Sequence, residues 1–345
     1  IEPGSGGGAG TGRAGGNGGG VIRVQVSDTL AINGYFYADG ANGVAGGYRN
    51  YYGSAGGAGG SIWVTTDTLA GAGRFQALGG TGGGGHNSYR GGGGGGGRIF
   101  VEYNRASDFT NRKYSSVRGG YGYGAQYGQT GTLAFFDRAN NDLYAVEGWR
   151  WQDNDGNHNY RNLSIEDSTR DTSALVRDDN SNPVINVTGA LSMDSSAGWN
   201  LTAPVTTINT RDLNMVTSTI TGANKVVFNT SGTVNLNSTS QINVTDGVEL
   251  RGSGNWNLNS SSRIISKDVF FNNIGTLDLN NSSYVQGNQR GTLANLRLQR
   301  SNTYLSADFY GFASATGPGA GRSRTSGNQS GTGGSHGGYG YRSAN

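Results

Sequence analysis

The chain has 345 residues, of which 65 are glycine, 14% are charged and 33% are hydrophobic; its formal net charge is +3 and it has no cysteine. Low hydrophobicity combined with low charge excludes the usual composition of a disordered chain, which requires high net charge. The lack of cysteine excludes disulfides and thiolate metal sites, and the scattered basic residues, with lysine only at Lys113, Lys225 and Lys267, form no nucleic-acid footprint.

Residues 1–146 read as a glycine-rich region of stacked strands. Three units align: Gly20–Val26 with Asn33–Gly40, Gly60–Thr66 with Gly73–Gly79, and Gly97–Tyr103 with Lys113–Gly119. A fourth start, Gly131–Asp137, closes the series, and Ile22, Ile62, Ile99 and Leu133 occupy equivalent positions at spacings of 40, 37 and 34 residues. Self-similarity at such a period marks a solenoid or stacked array. Each unit reads as strand, turn, strand and a glycine-rich excursion. Glycine has no Cβ, so backbones can approach and bond to one another directly. The blocks, of which Gly91–Gly97 is unbroken, are therefore expected to be ordered connections rather than flexible linkers.

Residues 147–183 read as an irregular junction. Trp149, Trp151 and Tyr160 surround Asp153–Asn159, where Asp-Gly signals a hairpin turn. The Asp-x-Asp-x-Asn spacing is that of a calcium loop, but its glycine is misplaced and no bidentate glutamate follows, so no metal is assigned.

Residues 184–310 carry a sharper repeat. Gly232–Ser240, Gly254–Ser262 and Gly275–Ser283 are one motif at spacings of 22 and 21 residues. That period fits one coil of a right-handed parallel β-helix. Strand alternation puts Val234 with Leu236, Trp256 with Leu258 and Leu277 with Leu279 on one face, and an amide ladder is expected at the corner residues Asn237, Asn259 and Asn280. Several asparagines are formal glycosylation acceptors, Asn186, Asn229 and Asn237 among them. A stacked asparagine would be inaccessible to that modification.

The tail, residues 311–345, returns to the glycine texture of residues 1–20, and the chain opens at Ile1 rather than Met. The expectation is a processed chain or an excerpt of a longer one. The tail either begins a further period of a tandem array or completes the glycine layer of the next subunit in a head-to-tail filament. A heterologous contact that does not close gives an open fibre.

The strand starts GGGVIRV, GGSIWV and GGRIFVEY, together with GRFQALGGTGGGG and GTLAFF, resemble the glycine-rich β-solenoid modules of large secreted bacterial and archaeal surface proteins. The middle of the chain is similar in texture to adhesin and haemagglutinin-like β-helices. The resemblance implies an extracellular, cell-surface, structural or adhesive role. It supplies no catalytic residues, and the segment 147–183 departs from it.

Catalysis is not expected. His86, His158 and His336 are far apart, and neither a His-Glu-x-x-His motif nor a Gly-x-Ser-x-Gly elbow is present. The glycine blocks lack the Gly-Lys-Ser/Thr of a phosphate loop and precede strands, so no cofactor is assigned. A glycan-cleaving β-helix needs paired acids on a strand face, whereas Asp167 with Asp171 and Asp178 with Asp179 fall in the irregular stretch. Ice binding needs ranks of Thr-x-Thr, and Thr217-Ser-Thr219 stands alone. No apolar run approaches the ~20 residues of a membrane helix.

Tyrosines in the glycine excursions and tail are the candidate contact residues: Tyr48, Tyr51, Tyr52, Tyr89, Tyr121, Tyr123, Tyr127, Tyr339 and Tyr341. On rigid loops such rings make adaptable contacts to glycans or proteins. Alternatively they shield the glycine backbone or seal a subunit contact. The sequence thus reads as an all-β structural subunit or repeat of an extracellular filament, its partners copies of itself. The alternative is a cell-surface adhesin that binds glycans or proteins through tyrosine-rich loops.

Overall fold

Alternation of apolar and polar residues sets the strands, because successive side chains of an extended chain point to opposite faces. The structure is a computed structural model and describes residues 1–46, 52–85, 90–122, 124, 127–151, 158–166, 175–178, 182–194 and 196–308. Its first strands are Val21–Ala31 (β1), Tyr35–Tyr37 (β2), Ser61–Ala70 (β3), Arg74–Gln76 (β4), Arg98–Tyr103 (β5), Arg105–Ser107 (β6), Thr132–Asp137 (β7) and Asp142–Glu147 (β8). β1, β3, β5 and β7 pair in parallel, and the register sets Ile22, Ile62, Ile99 and Leu133 side by side, as their spacing predicts. β2 pairs with β4, Phe36 opposite Phe75, and an isolated bridge puts Gln76 beside Ser116. Ile62, Val64, Leu69, Phe75, Ile99, Val101, Leu133 and Phe135 form the buried core of this first stack.

Where glycine replaces the alternating residues, the chain leaves the strands. Outgoing arms (38–46, 77–84, 117–122) follow the second strands, and returning arms (13–20, 53–60, 91–97, 127–131) lead into the first. The arms bond to one another rather than internally. Along 53–60, six successive amides, Ala55 to Gly60, donate in turn to Gly8, Gly92, Ala41, Ser5, Gly95 and Ala38, so each of three neighbouring segments receives every third bond. Three residues per turn without internal bonding is the habit of polyproline II. Such spacing leaves no room for a side chain at the contact. A Cβ on Gly57 would stand 2.5 Å from the Asn17 carbonyl carbon, and one on Gly94 would stand 2.5 Å from that of Gly57.

β7 and β8 form an antiparallel pair around residues 138–141. The core changes face here. Leu133, Phe135 and Val146 belong to the first core, whereas Ala134, Leu143 and Ala145 belong to a second core on the opposite side of the same sheet. Both faces are covered, which explains the nearly continuous apolar runs TLAFF and DLYAVE. Reversing strand direction while moving the core to the other face amounts to a half-turn about the stacking axis.

The second stack comprises Arg150–Trp151 (β9), His158–Tyr160 (β10), Asn162–Ile165 (β11), Leu175–Asp178 (β12), Val184–Met193 (β13), Gly198–Leu201 (β14), Val205–Val216 (β15), Thr219–Gly222 (β16), Lys225–Thr230 (β17), Thr233–Asn237 (β18), Gln241–Val244 (β19), Gly247–Arg251 (β20), Asn255–Leu258 (β21), Arg263–Asn280 (β22), Tyr284–Gln299 (β23) and Tyr304–Ser306 (β24). All pair in parallel, and the chain returns to the same face about once per repeat. One face carries the column Leu143, Leu163, Leu191, Leu213, Val234, Trp256, Leu277, Leu296. A second carries Trp199, Ile220, Ile242, Ile264, Val285 and Leu305. A third carries Ile185, Ile208, Phe228, Leu250 and Phe271. Each fully buried side chain of this kind stabilises by roughly 1.5–3 kcal/mol. The stretch 147–183, read from sequence as irregular, contains β9 to β12, strands too short to show an alternation.

The repeat motif ends in a tight corner. Ser238 and Thr239, Ser260 and Ser261, and Asn281 and Ser282 all have positive φ, between 51° and 65°, a region costly for residues with a Cβ. Ser240 and Ser262 close two of these turns, each donating its hydroxyl to the Asn237 or Asn259 carbonyl at 2.6 Å. The asparagine ladders sit mostly elsewhere than expected. Asn259 reaches Asn237 at only 3.4 Å, whereas Asn257, Asn235 and Asn214 link at 3.0 Å. A second ladder runs from Asn229 through Asn209 and Asn186 to Asn159, at 2.5–2.6 Å.

One ion cluster sets a pH response. Arg251 Nε at 2.6 Å, helped by Lys225 Nζ at 2.7 Å, holds the Glu249 carboxyl down to about 2 against the opposing effect of its burial. An unfolded glutamate titrates near ~4.3. The stabilisation is therefore complete above that pH and is lost as pH falls toward 2. Glu249→Gln is expected to flatten the fall of Tm between pH 4.5 and 2; an unchanged slope in thermal unfolding would refute the assignment.

Candidate functional site

The glycine arms bring two of the expected aromatic residues, Tyr121 and Tyr127, together. In the outgoing arms every third residue faces away from the lattice, and these positions carry the side chains Asp39, Leu78 and Arg118, then Asn42, Thr81 and Tyr121. Asp39 and Asn42 accept hydrogen bonds from the Leu78 and Thr81 amides, both at 2.7 Å, and so fix neighbouring arms to each other. Tyr121 and Tyr127 meet edge to face at 5.0 Å and are 47% and 62% exposed. With Leu78, Thr81, Arg118 and Thr130 they line an open groove of about 540 Å³. Glycine backbone, an arginine and two exposed phenol rings form its walls.

Tyr52 is also exposed, at 44%, on the returning arm before β3. Tyr48, Tyr51, Tyr89, Tyr123, Tyr339 and Tyr341 lie outside the described residues, as do the calcium-like segment 152–157, His86, His336 and the tail. Among the described residues no group of three or more His, Asp or Glu side chains is placed to hold a metal. Among the described residues no helix is long and apolar enough to cross a membrane.

A second aromatic patch was not singled out from sequence. Tyr35 and Tyr37 stack at 5.2 Å on β2, and the Arg74 guanidinium lies 5.0 Å from the Tyr35 ring and 5.9 Å from that of Tyr114. The three tyrosines are 46–53% exposed. The available signal was the alternation Tyr-Phe-Tyr, which packs Phe36, partly buried, against the first core and turns both phenols outward.

Charged groups join the two stacks. Arg112, in the segment after β6, makes a two-bond fork to Glu166, Nε to Oε2 at 2.9 Å and Nη2 to Oε1 at 2.6 Å. It also lies 3.9 Å over the Tyr144 ring, and Lys113 pairs with Asp194. Burial opposes the Arg112 charge, but the Glu166 bonds outweigh it and raise its pKa. Burial likewise pushes the Tyr103 phenol up, beyond any physiological titration.

No family model, curated protein sequence or solved structure matches the chain, so its function is read from geometry.

Proposed function

We propose that the chain is a β-solenoid, a glycine-rich stacked region followed by a parallel β-helix, and that it serves as a structural subunit or repeat of an extracellular surface filament joined head-to-tail. The observation that carries this reading is the state of the two ends. One hydrogen-bonded sheet runs from β1 to β23. Among the described residues β1 pairs on one side only. At the other end Leu296 and Leu298, which continue fully buried columns, are 46% and 48% exposed. Unpaired edges and open columns invite a further layer.

Negative-stain electron microscopy of native material, with intact-mass analysis after denaturation, tests the proposal. Fibres that dissolve to single chains support non-covalent assembly, and fibres that release only much larger chains make the sequence one repeat of a longer protein. Isolated single-chain particles would sink the filament reading.

The Tyr121–Tyr127 groove favours a second reading, that of an adhesin. If it is right, Tyr121→Ala and Tyr127→Ala each weaken glycan binding at least ~10-fold on an array, since losing an aromatic contact removes ~1–3 kcal/mol. Equal binding by wild type and both variants would exclude the groove.

A further inference from the structure

The two open edges of the sheet match each other. Among the described residues β1 pairs only with β3, and the stretch Thr292–Gln299 of β23 pairs only with β22, because β24 covers Tyr284–Gln286 alone. At the first edge Ile22 and Val24, half-buried, head columns whose next members, Ile62 and Val64, are fully buried. At the second edge Leu296 and Leu298 end columns whose preceding members, Leu277 and Leu279, are fully buried. A chain cannot bring its own two edges together, since both belong to one continuous sheet. At ~4.8 Å per strand they stand roughly 50 Å apart. Residues 309–345 contain no leucine, isoleucine or valine, the residues from which these columns are mainly built.

We propose that β1 of a second copy pairs in parallel with Thr292–Gln299 of β23 and continues its columns, so that successive copies are related by a half-turn about the stacking axis. The inference rests on the head-to-tail reading and specifies its joint. Within one chain the first stack runs opposite to the second and keeps its core on the other face of the sheet. A half-turn of the added copy reverses both, and its β1 arrives with the direction and the core face of β23. Added without the turn, β1 would pair antiparallel, as β7 does with β8. That joint buries both faces of its strands, and β7 and β8 are apolar on both. β1 and β23 instead alternate, with Arg23, Gln25, Asn295 and Arg297 exposed between the apolar positions. An antiparallel joint would set Asn295 and Arg297 against the column headed by Ile22 and Val24. Charge then selects the register. Val24 beside Leu296 and Val26 beside Leu298 put Arg23 next to Asn295 and Gln25 next to Arg297, and bring the exposed Asp28 toward the exposed Arg300. Ile22 beside Leu296 would set Arg23 directly against Arg297, and like charges opposite each other destabilise a strand pair.

The chain has no cysteine, so engineered thiols report cleanly. Full-length chain carrying Gln25→Cys is mixed with full-length chain carrying Arg297→Cys and oxidised, and the same samples are imaged by negative stain. Neighbouring strands fall within the ~4.4–6.8 Å between Cα atoms that a disulfide allows. The expected result is a covalent dimer between the two chains, in filaments whose successive copies alternate by a half-turn. Filaments without the cross-link would overturn this joint and leave the filament reading standing. Single particles without the cross-link would remove both. Leu298→Cys separates a second copy from the chain's own tail. Its thiol is expected to react with a maleimide at least ~10-fold faster in dilute single particles than in filaments. Slow reaction in the dilute single particles would assign the β23 edge to the chain's own tail and overturn the proposal.

Discussion

Gly94→Ala is expected to unfold the glycine lattice, whereas Gly95→Ala, one residue along, is expected to leave stability unchanged or raise it. The Gly94 amide bonds to Gly80, and a Cβ at this position would stand 2.5 Å from the backbone carbon of Gly57. Backbone on the facing arm cannot rotate away as a side-chain tip can, so the arms must separate and their bonds must break. A loss above ~4 kcal/mol is expected, at the severe end for a point change. At Gly95 the nearest atom to a new Cβ is the Gln129 carbonyl oxygen at 3.8 Å, an ordinary contact. There the methyl restricts the unfolded chain and contributes ~0–1 kcal/mol of stability. Urea unfolding followed by tryptophan fluorescence, in a chain with five tryptophans of which Trp63 lies on β3, compares the two. Similar losses for both would mean that glycine serves flexibility rather than close approach.

Arg112→Ala is expected to loosen the two stacks from each other. Glu166 is nearly buried, its side chain 6% exposed, and it would lose both arms of the guanidinium fork. Removing one member of a buried pair costs about 3–5 kcal/mol, because the remaining charge is stranded. Replacing both by apolar residues, Arg112→Met with Glu166→Leu, should recover most of that loss. A double variant as unstable as the single one would show that the packing of Arg112 over Tyr144, rather than the stranded carboxylate, carries the effect.

The stacking positions were readable where a residue repeats with its surroundings. Ile22, Ile62, Ile99 and Leu133 each lie two residues after a glycine, near the start of an alternating strand, so their equivalence needed no structure. Val234, Trp256 and Leu277 were legible for the same reason, and the register pairs them. The reversal at residues 138–141 was not legible. A short polar stretch between TLAFF and DLYAVE serves a hairpin as well as a crossover, and only the sharing of one sheet by two cores distinguishes them. The ladders were misplaced for a related reason. Any asparagine repeating at the coil period is a candidate, but the positive-φ residues after Asn237 and Asn259 turn the backbone away there, whereas Asn235 and Asn257 sit squarely on parallel strands. Of the candidate groove, the tyrosines were visible in sequence. Their pairing was not, because it depends on arms whose three-residue period is set by backbone contacts rather than by side chains.

The glycine lattice also gives the two stacks different heat capacities of unfolding. Melting the second stack exposes columns of leucine, isoleucine and tryptophan, and apolar exposure raises heat capacity by about 0.45 cal/mol/K per Å². Melting the arms exposes mainly peptide groups, which lower it by about 0.26 in the same units. The apolar columns therefore weaken on cooling, as hydrophobic burial does, while the bonded glycine arms, with little apolar surface to hydrate, keep a flatter stability curve. Within one continuous sheet, the glycine-armed end is the part built to hold its shape in the cold.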